Sequence, residues 1–226
     1  MNASTGDRWL DELLGGGFPK GFTVLYGGEG SGRTTLLLQV SAVTIKNGGK
    51  AAYIDVGERL EEKRAEEILE AWDAERSRFK LLKAADTHKT FILLRWIRMD
   101  SQISLIVLDN LVEDRWVESI VEAVRMFGIP VIGVFDEASS EITIPVGEKI
   151  ENILPYPMST TLRGRGLVDM ELRLRNVREE TGGKIDGIAI YGECFTPYRF
   201  GEKGLISLTP PKPLKELGNY GAKLLR

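Results

Sequence analysis

The chain has 226 residues, 42% of them apolar and 28% charged, which is enough for one sizeable buried core and near the upper end for a single domain. A formal net charge of -3 gives no overall basic field, so any nucleic-acid affinity has to come from a local patch. One cysteine, Cys194, and one histidine exclude an intramolecular disulfide and a conventional zinc site, and fit a reducing cytoplasm.

The first residues, MNASTGDRWLDELL, lack the basic start and apolar run of a signal peptide. No apolar stretch approaches the roughly 20 residues that span a bilayer. A soluble, cytoplasmic protein with no membrane partner is expected.

Apolar runs bounded by glycine or charge then alternate with helical patterns, the signature of βαβ units and a mostly parallel sheet. FTVLY (22–26) reads as a buried strand, Thr34 to Lys46 as a helix ending at Asn-Gly-Gly, and AAYID (51–55) as the next strand. Residues 59–78, rich in helix formers and i,i+4 charge pairs, read as one long helix. FKLLKA (79–84) is a third strand, TFILLRWIRM a helix, SLIVLDN (104–110) a buried strand, VESIVEAVRMFG a helix and IPVIGVF a strand.

After Phe135 the texture changes to a long, proline-bearing stretch from Asp136 to Gly166, read as an extended loop. LVDMELRLRNVRE, IDGIAIYG, PYRFG and GLISLT follow as an antiparallel extension. The expected architecture is α/β, one domain over residues 1–208 with a mostly parallel central sheet flanked by helices and an antiparallel extension, and a proline-hinged tail over 209–226.

Residues 27–35 read GGEGSGRTT, between a predicted strand and a predicted helix. Glycines at that juncture aim backbone N–H groups and a helix dipole at one anion-sized cavity. Gly27, Gly28, Glu29, Gly30, Ser31, Gly32, Arg33, Thr34 and Thr35 are therefore the candidate cradle for the phosphates of ATP or ADP, although Arg33 stands where such loops carry lysine. The aspartate ending SLIVLDN, Asp109, lies about 75 residues further on, at the strand end where α/β sheets bind ligands. Thr34 and Asp109 are the candidate Mg2+ residues.

The stretch STGDRWLDELLGGGFPKGFTVLYGGEGSGRTTLLLQ resembles the opening of the core ATPase domain of the RecA and archaeal RadA family. The likeness is tight over residues 4–40, moderate to about 135 and topological afterwards. Length and the short ends look most like the RadB branch of archaeal RadA paralogues, with KaiC-like ATPases next. The resemblance implies a RecA-like P-loop NTPase core over residues 1–208, nucleotide binding, a place in DNA recombination or repair, a protein partner there, and leaves homo-oligomer formation open.

Several positions depart from the family pattern. A Tyr-Ile-Asp-Thr-Glu run normally supplies the glutamate that activates water; here Gly57 holds its place and Glu58 follows one residue late, as a substitute base on the KaiC-like reading. Arg64 falls where the recombinases stack an arginine on adenine, and is equally readable as a solvated charge on a charged helix. Phe135 and Asp136 replace the Asn-Gln that senses the γ-phosphate, and IAIYGEC lacks the basic element that reaches a neighbouring subunit. Together with Arg33, these changes predict weak or absent hydrolysis; a nucleotide-free scaffold acting through protein contacts is the alternative. The acidic stretch 136–156 and the mixed charges of Asp169, Glu171, Arg173 and Arg175 argue against DNA contact by the protein alone, with Arg163, Arg165 and Arg178 completing the local basic group.

Overall fold

Alternating apolar runs and helices build a ten-stranded sheet among residues 2–112, 116–136, 166–179 and 181–217, which the computed structural model describes. The elements in chain order are α1 (Arg8–Leu13), β1 (Gly21–Gly27), α2 (Arg33–Lys46), β2 (Lys50–Val56), α3 (Glu62–Ala71), β3 (Phe79–Ala84), α4 (Thr87–Ile97) and β4 (Ile103–Leu111). They continue with α5 (Val117–Arg125), β5 (Pro130–Asp136), β6 (Met170–Asn176), β7 (Gly187–Tyr191), β8 (Cys194–Gly201), β9 (Gly204–Ser207) and β10 (Lys212–Pro213). The order across the sheet is β10-β8-β7-β6-β1-β5-β4-β2-β3, with β9 also paired to β8.

The strands from β3 to β6 run parallel and those from β6 outward antiparallel. β6 is thus the hinge between the two regimes: it pairs parallel with β1 and antiparallel with β7. The expected antiparallel extension begins one strand later than the sequence pattern alone implied, because alternation reports which face is buried and not which direction the neighbour runs.

The central strands are apolar on both faces, since each face is covered by helices. Alternate residues of β1 divide between two cores: Leu25 packs with α1, α2 and α3, whereas Phe22, Val24 and Tyr26 pack with α4 and α5. α2 is buried along most of its length, from Leu36 to Ile45. Burying each of its leucines, valines and Ile45 stabilises by roughly 1.5–3 kcal/mol, so this helix is held by packing rather than by propensity.

The long helix expected over 59–78 is shorter. Asp55 accepts the amides of Arg59 (3.1 Å) and Leu60 (2.9 Å), which occupies those residues in a turn. α3 therefore starts at Glu62 and stops at Ala71; Asp73 then adopts φ 54°, and Arg76–Arg78 form only a 3-10 turn. Similarly α5 ends at Arg125, with Gly128 at φ 64° reversing the chain into β5.

The sheet does not break at residue 208. β10 pairs antiparallel with Phe195 and Cys194 of β8, and Leu214 and Leu217 bury beside Val177, Ile188 and Phe195. Residues 218–226 of the expected tail and the expected loop beyond Asp136, 137–165, lie outside the described residues.

Candidate functional site

β1 delivers the chain to the carboxyl edge of the sheet, and Gly28, Glu29 and Gly30 emerge exposed before α2 begins. Gly32 is the N-cap of α2 at φ 82°, and Gly30 sits at φ 72°, conformations that cost glycine little. The turn closes through the Ser31 amide on the Gly28 carbonyl (3.2 Å) and the Leu36 amide on the Gly32 carbonyl (2.9 Å).

Two residues that sequence reasoning did not single out hold this loop from behind. Tyr198 of β8, buried, donates its hydroxyl to the Ser31 carbonyl at 2.6 Å. Phe200, two residues on, lies against Gly32, so that a side chain there would strike its ring. PYRFG shows the alternation of a strand, but only the antiparallel return of β8 puts its aromatics behind the phosphate loop.

At the head of α2, Thr34 Oγ1 donates to Asp109 Oδ2 at 3.0 Å. These residues are 75 positions apart, and β4 and α2 bring them together. Tyr53 of β2, fully buried, donates to the same carboxylate oxygen at 2.6 Å. Asp109 Oδ1 is buried without a hydrogen-bond partner among the described residues. Burial pushes the Asp109 carboxyl up, opposed by the hydroxyls of Tyr53 and Thr34 and by the charge of Arg33. Tyr53 is pushed well up by burial first and by the Asp109 charge second, so its phenol stays a proton donor.

Asp55 stands directly across from Asp109 in the β2–β4 register. Its oxygens are committed to the amides of Arg59 and Leu60, which makes it the anchor of the following turn. Two strand-end carboxylates thus have separate tasks.

The family model of the RecA N-terminal domain matches residues 1–110. Protein RecA of Prochlorococcus marinus (strain AS9601) is 52% identical over 59 residues, which are 26% of this chain and 16% of that protein. Protein RecA of Synechococcus sp. (strain CC9605) is 51% identical over a stretch of the same length and coverage. The match thus spans about a sixth, 16%, of these curated relatives. The crystal structure of the RadB recombinase superposes with a TM-score of 0.68 at 25% identity, covering 92% of this chain and all of that one.

These likenesses support a place in the RecA/RadA superfamily. Within it the fold is RadB-like, which gives meaning to the places where the expected RecA/RadA side chains are missing. Gly57, at the position of the family's glutamate, has φ 81° and donates its amide to the Ala84 carbonyl at 2.7 Å. Glu58 is exposed at φ 55°, and its charge helps to hold the Lys83 ammonium of β3 above its usual range, behind the larger effect of Glu62. Arg64 ion-pairs with Glu67 at 3.2 Å, one turn along α3. The structure thus gathers the loop, Thr34 and Asp109, and places Glu58 and Arg64 in other contacts.

Arg33 reaches across from α2 to β5, where its Nη1 donates to the Phe135 carbonyl at 3.0 Å. Asp136, next in β5, pairs in register with Gly27 of β1. The end of β5, where the resemblance sets the γ-phosphate sensor, is therefore the immediate neighbour of the phosphate loop, joined to it by one guanidinium N–H of Arg33.

On the possible nucleic-acid face, Arg163 and Arg165 lie outside the described residues. Met170, Leu172 and Leu174 of β6 are buried, so Glu171, Arg173 and Arg175 share the partly exposed face as mixed charges. Arg173 lies over the Tyr26 ring at 5.9 Å, and Arg178 is 3.6 Å from Asp186. Among the described residues no helix is long and apolar enough to cross a membrane.

Proposed function

We infer that this protein binds ATP or ADP with Mg2+ through the GGEGSGRTT loop, hydrolyses nucleotide weakly or not at all, and acts as an accessory or regulatory factor in DNA recombination or repair. The observation that carries the reading is the 3.0 Å contact of Thr34 Oγ1 with Asp109 Oδ2 at the head of α2. A hydroxyl and a carboxylate from distant segments converge there beside the helix N-terminus, where anions bind. The orphaned Asp109 Oδ1 fits the same purpose, because a buried acceptor without a partner costs about 1–3 kcal/mol unless something fills it.

Backbone amides of residues 28–33 and the guanidinium of Arg33 would orient the phosphates, and Thr34 and Asp109 would hold the cation. Bound there, Mg2+ would neutralise phosphate charge. Hydrolysis further needs a base within hydrogen-bond reach of a water. Gly57 offers none, and Glu58 sits in the field of Lys83. The role in recombination or repair is supported by the RadB-like fold.

Isothermal titration with ATP and ADP, with and without Mg2+, tests the reading, using Gly32→Asp as the control. Asp at φ 82° and against Phe200 cannot keep the loop. Binding in the natural chain that disappears in the control is expected. No heat in either would overturn nucleotide binding in favour of a protein-contact scaffold. Brisk ATP turnover abolished by Asp109→Ala would overturn the claim of weak hydrolysis.

A further inference from the structure

Asp109 has lopsided contacts. Oδ2 accepts two hydroxyls, Tyr53 Oη at 2.6 Å and Thr34 Oγ1 at 3.0 Å, whereas Oδ1, also buried, accepts nothing from the described residues. Tyr53 is itself immobilised: it is fully buried, and its ring packs tilted against Phe79 at 5.8 Å between centroids. Asp55, the other carboxylate in register, is occupied by the Arg59 and Leu60 amides and does not draw the hydroxyls away.

We propose that Tyr53 is a positioning residue for the divalent cation of the phosphate loop: through Oδ2 it fixes the Asp109 carboxylate, reserving Oδ1 for the cation's water shell. The inference rests on the nucleotide reading above and deepens it. A hydroxyl has one proton and two lone pairs. Thr34 gives its proton to Asp109, which leaves its lone pairs for the cation; Tyr53 supplies a second, stiffer donor, so that the carboxylate plane is set by two points. Without the phenol, Oδ2 is held by a single threonine and the carboxylate turns about a soft terminal torsion. Groups that orient a metal-binding residue in this way typically change metal affinity about 10–100-fold when removed.

The test uses the full chain with ADP and Mn2+ as the spectroscopic probe, read by electron paramagnetic resonance, in the natural protein, Tyr53→Phe, Asp109→Asn and the double variant. Phenylalanine keeps the ring against Phe79, so the fold is retained and near-ultraviolet circular dichroism verifies it. Tyr53→Phe is expected to leave cation-free ADP affinity unchanged and to weaken Mn2+ binding to the ADP complex about ten-fold or more. On top of Asp109→Asn it should add little, because Tyr53 acts through Asp109. Mn2+ affinity that Tyr53→Phe leaves unaltered would overturn the proposal alone, as would a full additional loss in the double variant. Parallel losses of melting temperature and cation-free ADP affinity would reduce Tyr53 to a structural part and overturn it as well. A natural chain that does not take up ADP would overturn the nucleotide reading and this proposal together.

Discussion

Gly57 stands where the family resemblance sets a glutamate. Its φ of 81° suits glycine, yet a Cβ built there would meet nothing nearer than Arg59 Nε at 3.5 Å. A Cβ therefore fits, and the backbone cost of a left-handed residue is about 1–2 kcal/mol. Gly57→Glu is therefore expected to fold with modestly lowered stability. If the absent base limits turnover, ATP hydrolysis should rise at least about ten-fold, since positioned general bases contribute about 100- to 10,000-fold. Phosphate release at saturating ATP and Mg2+ measures this. An unchanged rate would put the block at Arg33, whose fork is tied to the Phe135 carbonyl instead of standing free as an ammonium would.

Elements are stitched by buried polar groups as much as by apolar contact. Gln39 of α2 donates to the carbonyls of Thr5 (2.8 Å) and Leu205 (3.2 Å) and accepts the Leu205 amide (2.7 Å), joining the amino-terminal segment, α2 and β9. Gln39→Leu preserves volume but strands three backbone groups, at about 1–3 kcal/mol each, so a loss of about 3 kcal/mol or more is expected in urea denaturation. At the other edge, Asp100 accepts the Gln102 amide (3.1 Å) and is approached by Lys80 of β3 (3.2 Å) and Lys50 of β2 (3.8 Å). The Gln102 amide first, and Lys80 next, hold this carboxyl below its usual range. A depressed folded value contributes stability above the unfolded pKa that is lost as pH falls through the folded one. Asp100→Asn should accordingly destabilise at neutral pH, and the difference should shrink below about pH 4, as paired melts at several pH values would show. Such stitches were the least legible features in the sequence. Apolar periodicity located β1, α2, β2, β3, β4 and β5, and the loop spacing named Thr34 and Asp109. The start of α3, by contrast, depends on where Asp55 points, and the backing of the loop by Tyr198 depends on the return of β8.

For the whole molecule, the sheet gathers the carboxyl ends of β1, β4 and β5 at one edge, which is why the phosphate loop, Asp109 and the sensor position meet. That convergence was readable because parallel strands share a direction; the order of strands beyond β6 was not, because neighbours in an antiparallel extension are chosen by tertiary packing. Charge is the remaining global property. The chain carries 30 basic and 33 acidic side chains, and an anionic molecule repels polyphosphate at distances beyond its contacts. Locally, Lys46, Lys50, Lys80, Lys83, Arg125 and Arg178 each lie within 4 Å of a carboxylate, which cancels much of their field within the Debye length of about 8 Å. The protein alone is therefore expected to bind labelled single-stranded DNA more weakly than about 0.1 mM at about 0.15 M salt, the weak limit of non-specific binding, by fluorescence anisotropy. Tighter binding that falls steeply with salt would contradict this and direct attention to Arg163 and Arg165. Binding that strengthens only with ATP and Mg2+ would contradict it differently, by making the nucleotide site the switch for a DNA surface.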